Sequence, residues 1–140
     1  MLRILIVDDS SSARHLVSQH LIAHGSCEQA RDGLEAVELV ERALTDEEPF
    51  DLIIMDVEMP RLNGIEAVKR INALFEARDV PEPQRARIIM LSTHGDPGRV
   101  LKAQYGAGAH LYVTKPFKPD TLVQAMASLD LLRSPLDELE

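Results

Sequence analysis

The chain has no tryptophan, a single cysteine and little aromatic content, 4% of its 140 residues. With two Tyr and three Phe it offers no stacking platform for bases. Basic residues are also in deficit, since 15 Lys and Arg against 23 Asp and Glu leave a net charge of −8. Phosphate backbones need a basic surface, so this balance argues against nucleic acid as a direct partner. The lone Cys27 excludes an internal disulfide and fits a reducing compartment; beside a probable strand it reads as a small core hydrophobe. No GxGxxG, GKS or GKT pattern occurs, and Arg31-Asp32-Gly33 is a plain turn, so no nucleotide cofactor is expected. No apolar run approaches a membrane span, and the N-terminal MLRILIVDDS meets two acids too soon for a signal peptide. A cytoplasmic protein without a membrane partner is the expectation.

What is present is ordinary globular composition, 45% hydrophobic and 27% charged, at a length that suits one domain. The expected organisation is a domain over 1–132 and an acidic, frayed tail over 133–140, with no output domain of its own. The central stretch is FDLIIMDVEMP, Phe50 to Pro60, in which Leu52 to Met55 run without alternation into Asp56. That pattern reads as a strand buried on both faces. Other short apolar runs lie at Leu2–Val7, Ile88–Leu91 and Leu111–Val113, and Ser26–Ala30 reads as a weak, short second strand. Helical spacing falls between them: Ala13, Leu16, Val17 and Leu21 after a Ser10 cap; Leu34, Val37, Leu39 and Val40; Ile65, Val68, Ile71 and Phe75. A further helix opens at Asp96-Pro97 and runs to about Tyr105, and a last one opens at Pro119 with Leu122, Val123, Met126 and Leu129 inward. Glu76 to Arg87 is a polar loop with two prolines. Five strands alternating with five helices imply right-handed βαβ units in a doubly wound parallel sheet.

In such a sheet every strand ends at one edge. The runs above deliver Asp8 and Asp9, Asp56, Ser92 and Thr93, and Lys115 to that edge. Crowded carboxylates repel unless a cation joins them, and a hard oxygen-seeking ion such as Mg²⁺ is the natural one. A hydroxyl and an ammonium beside such a cluster suit an incoming phosphoryl group, with Asp56 as its acceptor.

VDDS at Val7–Ser10, MDVEMP at Met55–Pro60, Asn63-Gly64, Met90–Ser92, Gly108-Ala109 and TKPF at Thr114–Phe117 together resemble the receiver domain of two-component response regulators. The resemblance implies a flavodoxin-like five-stranded sheet in the order 2-1-3-4-5. It implies that Asp56 accepts a phosphoryl group from a sensor histidine kinase or phosphotransfer protein. It also implies that Mg²⁺, with Mn²⁺ as a substitute, is ligated by Asp9, Asp56 and the Glu58 backbone carbonyl, with Asp8 acting through water. Ser92 is then the switch hydroxyl, Lys115 the partner of the phosphoryl group, and Tyr112 the aromatic that changes rotamer. The Lys115-Pro116 bond is cis in this family. The resemblance further implies a downstream protein bound on the face of the fourth helix, fifth strand and fifth helix, and a monomer or weak dimer is the expectation.

Several features depart from the common pattern. Thr93 is larger than the usual neighbour, and the spacing to Lys115 is one residue long, so Thr93 stands as an alternative hydroxyl to Ser92. Ser92 is preferred because the apolar strand ends directly before it. Lys118 replaces a usual capping residue, and the Glu76–Arg87 loop is extended. The Glu58 side chain and His94 are expected to tune the lifetime of the phosphorylated state. His20 and His24 have the spacing of a metal pair but no third ligand fixed nearby, and His15 and His110 read as surface or edge residues.

The expected protein is thus a phosphoacceptor switch with slow self-catalysed hydrolysis and not an enzyme. Two rivals stand beside it. One is a phosphatase with an aspartate nucleophile, for which Glu58 would be the second acid; the other is a pseudo-receiver that binds its partner without phosphorylation.

Overall fold

The computed structural model describes residues 1–92, 108–115 and 117–131. Within them the five strands are β1 (Leu2–Val7), β2 (Gly25–Ala30), β3 (Leu52–Asp56), β4 (Arg87–Ser92) and β5 (Leu111–Thr114). The helices are α1 (Ser11–Leu21), α2 (Gly33–Thr45), α3 (Gly64–Ala77) and α4 (Pro119–Ser128). A 3₁₀ turn, Glu82–Gln84, lies in the polar loop before β4. The expected helix near 96–105, the acidic tail, Thr93, His94 and the Lys115-Pro116 bond lie outside the described residues.

All strand pairs are parallel, and the order is β2-β1-β3-β4-β5, as the resemblance implies. β3 sits in the middle and is buried along its whole length, which is why its sequence does not alternate. Alternation is instead resolved in three dimensions. Leu5, Val7, Ile53, Met55, Ile88 and Met90 face the layer of α2 and α3, where Val40, Val68, Ile71 and Phe75 lie. Ile4, Ile6, Leu52, Ile54, Ile89 and Leu91 face α1 and α4, through Val17, Leu21, Leu122 and Met126. Neighbouring residues of one strand therefore serve two separate cores.

Two helices meet the sheet less as expected. α1 buries Val17 and Leu21, but Leu16 is 55% exposed, so its inward stripe is narrower than the sequence spacing suggests. α2 buries Ala36, Val40 and Ala43, with Leu34, Val37 and Leu39 only half-buried. Small side chains on the inner line let that helix pack near the sheet, and the larger ones flank it. Cys27 packs half-buried against the second core. His110 is not a free surface residue: its ring Nδ1 accepts the Ile88 N–H at 3.0 Å, and its backbone N–H donates to the Ile88 carbonyl at 2.9 Å. The ring thereby extends the ladder at the start of β5, and burial, with the nearby Arg87 charge, lowers its pKa.

Helix starts locate the loops at the functional edge. Ser10 Oγ accepts the Ala13 N–H, Asp32 Oδ1 the Glu35 N–H, and Asn63 Oδ1 the Glu66 N–H. Each cap satisfies an otherwise orphaned donor of the first turn. Gly33 and Gly64 follow two of these caps because the backbone comes too close for a side chain. A Cβ would stand 2.4 Å from the Leu62 carbonyl at Gly33 and 2.1 Å from the Asp56 carbonyl at Gly64. Lys118, by contrast, gives α4 no side-chain cap.

Candidate phosphoacceptor and metal site

β1 and β3 are adjacent and in register from Ile4–Leu52 to Val7–Met55, so Asp8 and Asp56 leave the sheet side by side. Asp8 is only 4% exposed and Asp56 6%, whereas Asp9 is open to solvent. Carboxylate oxygens of Asp8, Asp9 and Asp56 lie within 4.8 Å of one another. Among the described residues no other group of three or more His, Cys, Asp and Glu comes together so closely, so the His20 and His24 pair gains no third ligand.

Lys115 reaches this cluster from the end of β5. Its Nζ donates to Asp8 Oδ2 at 2.9 Å and stands 3.5 Å from Asp56 Oδ1. Its own N–H donates to the Ser92 carbonyl at 2.7 Å, which ties the lysine's backbone to the end of β4. Asp8 is further engaged by the Ser10 N–H on Oδ1 at 2.9 Å, and its backbone carbonyl accepts from Arg14 Nη1 at 2.7 Å.

One ammonium does not balance three carboxylates. Burial and the Asp8 charge push the Asp56 carboxyl up to about 6, with Asp9 adding to the push and Lys115 opposing it. Burial alone would lower Lys115, but its hydrogen bond to Asp8 and the charges of Asp56 and Asp8 hold its pKa above the ordinary value. The residual negative charge, presented by oxygen donors alone, fits a hard divalent cation such as Mg²⁺. Asp9 and Asp56 are the carboxylates left with free oxygens for it, while both Asp8 oxygens already accept a proton donor.

Ser92 is the last residue of β4, paired in register with Thr114 and one step beyond Leu91, the partner of Asp56. Alternation places Ser92 on the same sheet face as Met90, and Met90 is the register partner of Tyr112. The Tyr112 ring packs against the α2–α3 core, and its hydroxyl is buried with no hydrogen-bond partner among the described residues. Burial also raises its pKa. Glu58 lies exposed in the β3–α3 loop, and the sequence spacing alone placed it there.

One pair at this edge was not expected. Asp32, only 6% exposed, accepts on Oδ2 from Arg61 Nε at 2.9 Å and from Arg61 Nη2. Burial disfavours the charged carboxylate, yet the Glu35 N–H and the Arg61 guanidinium outweigh it and lower the Asp32 pKa. Asp-Gly announces a turn or a cap, but nothing local announces a partner 29 residues away.

Comparison with known proteins places the chain in a family. The family model described as "Response regulator receiver domain" matches residues 4–127. A chemotaxis protein CheY homolog of Campylobacter jejuni is 35% identical over 127 residues, covering 89% of each chain. CheY of Bacillus subtilis is 35% identical over 126 residues, covering 89% of this chain and 93% of its own. Among solved structures, Vibrio cholerae CheY4 superposes with a TM-score of 0.76 at 34% identity, covering 91% of this chain and 98% of its own. The receiver domain of the Arabidopsis thaliana histidine kinase CKI1 complexed with Mg²⁺ gives a TM-score of 0.81 at 28% identity, with 91% of both chains covered. Matched by the family model over most of its length and by CheY relatives above 30% identity, the chain belongs to the response regulator receiver domain family.

Proposed function

We propose that this receiver takes a phosphoryl group on Asp56 from a histidine of a sensor kinase or phosphotransfer protein, and that the modification changes which protein it binds. The observation that carries the reading is the meeting of Asp8, Asp9 and Asp56 within 4.8 Å, with Lys115 Nζ 3.5 Å from the Asp56 oxygen. Asp9, Asp56 and the Glu58 carbonyl would hold Mg²⁺ or Mn²⁺, and Asp8, occupied by Lys115 and the Ser10 N–H, would act through water. The cation supplies neutralisation of the negative charge on the carboxylates and the transferring phosphoryl oxygens.

In the transfer an Asp56 oxygen attacks phosphorus, the phosphorus–nitrogen bond to the donor imidazole breaks, and the imidazole leaves. Lys115 stands ready to follow the new charge from carboxylate to phosphoryl oxygen. Water later attacks phosphorus, releasing inorganic phosphate and restoring the Asp56 carboxylate. This slow hydrolysis makes the protein a timed switch and not a turnover enzyme. Ser92 would hydrogen-bond the phosphoryl group. The Tyr112 hydroxyl, buried with no hydrogen-bond partner among the described residues, supports the two-state part of the reading, because a changed rotamer can give such a donor a partner.

Incubation with Mg²⁺ and acetyl phosphate, followed by intact mass, tests the proposal. One phosphoryl mass is expected on the wild type and none on Asp56→Ala. An unlabelled wild type, beside a labelled control receiver, would favour the pseudo-receiver. Sustained hydrolysis of a phosphomonoester, lost in Asp56→Asn, would favour the phosphatase.

A further inference from the structure

The β3–α3 loop, residues 57–63, carries Glu58, and its conformation is fastened at both ends. At one end the Gly64 N–H donates to the Val57 carbonyl at 2.9 Å, closing the loop on itself beside Asp56. At the other, the Gly33 N–H donates to the Leu62 carbonyl at 3.1 Å, and the Leu62 side chain is buried in the α2–α3 core. Between them Arg61 has φ of +65°, a backbone setting that glycine takes freely and arginine does not. What this arginine adds over glycine is reach. Nε and Nη2 both converge on Oδ2 of Asp32, whose Oδ1 is already committed to the first turn of α2. Both carboxylate oxygens of a buried acid are thereby used, and the loop is joined to the start of a helix from another βα unit.

We propose that Arg61 and Asp32 form a clamp that positions the β3–α3 loop, so that the affinity of the acidic site for its divalent cation depends on an ion pair outside the cluster. The inference rests on the reading that the Glu58 carbonyl is a ligand of that cation. Neither member of the pair belongs to the group formed by Asp8, Asp9 and Asp56, and both act as positioning residues. Loss of the clamp leaves the carboxylates where β1 and β3 put them and frees only the carbonyl donor, which weakens binding without abolishing it.

The test is calorimetric titration of the full chain with Mg²⁺ alone, together with amide hydrogen exchange in the absence of metal. Arg61→Gly relieves the positive φ while removing the guanidinium, and Asp32→Asn keeps an oxygen able to cap α2, so neither variant depends on a strained fold. Each is expected to raise the Mg²⁺ Kd by about tenfold. The double variant is expected to be no weaker than either single one, because the two changes break one interaction. Arg61→Lys, which retains charge but loses the fork, is expected to lie between. Amides of the loop should exchange faster in the variants while those of β3 do not. A wild-type Kd in Arg61→Gly and Asp32→Asn overturns the clamp, whatever the thermal midpoint does, and additive losses in the double variant overturn it as well. Failure of the wild type itself to bind Mg²⁺ overturns the ligand reading and the clamp with it, whereas variant effects confined to Tm overturn the clamp alone.

Discussion

The two edges of the sheet handle charge in opposite ways. At the edge where strands begin, Arg3 lies between Glu28 at 3.4 Å and Glu48 at 3.5 Å, and its guanidinium stacks over Phe50 at 5.1 Å. Asp51 there accepts the Arg3 N–H at 2.8 Å, and the acids are exposed. At the edge where strands end, Asp8 and Asp56 are buried, Asp9 is beside them, and Lys115 is the cation that reaches both buried acids. Each edge sets one cation among three acids, but the first lies in water, which screens the excess, while the second buries Asp8 and Asp56. The buried shortfall has a physical use. Carboxylates that repel one another out of water gain from a cation, whereas screened ones gain little.

The comparison can be broken most strongly at Lys115. Lys115→Met leaves two buried carboxylates without their partner and is expected to cost on the order of 3 kcal/mol in metal-free unfolding experiments. Mg²⁺ should return part of that loss, and carboxyl NMR should show Asp56 titrating above its wild-type value of about 6. No change in either would mean that Lys115 is not what restrains the cluster.

A smaller effect of opposite sign is expected at Asp56. Its folded-state pKa of about 6 lies above the ordinary 3.8, so the ionised form works against the fold at neutral pH. Stability from this group therefore rises as pH falls from about 7 through 6 towards 3.8. Asp56→Asn should stabilise the metal-free protein by about 1–2 kcal/mol at pH 7, less than the whole shift implies because water reaches part of the site. The advantage should vanish near pH 4 or with saturating Mg²⁺. Asp32 runs the other way: its pKa is lowered, so its contribution is present above 3.8 and is lost as pH falls below it. Thermal unfolding across pH, with and without Mg²⁺, separates the two.

The smallest effect belongs to the solvated edge. Arg3→Met should cost about 1 kcal/mol or less, through lost contact with Phe50 and two exposed ion pairs. That loss should shrink in salt and ignore Mg²⁺. A strong Mg²⁺ dependence at Arg3 would erase the distinction between the edges.

Much of this molecule is local in origin. Runs such as Leu52–Met55 declare buried strands, their terminal acids follow in the next residue, and alternation with helices implies a parallel sheet whose strand ends meet. The cluster of Asp8, Asp9, Asp56 and Lys115 was therefore legible from strand ends alone. What the residues could not announce was which of two cores each strand residue serves, that Leu16 turns outward while Val17 turns in, or that His110 closes a ladder on Ile88. Nor could they announce that Arg61 finds Asp32. Periodicity is a property of neighbours in the chain, but an ion pair across 29 residues or a ring completing a strand depends on where two loops come to rest, and only packing of the helices on the sheet decides that.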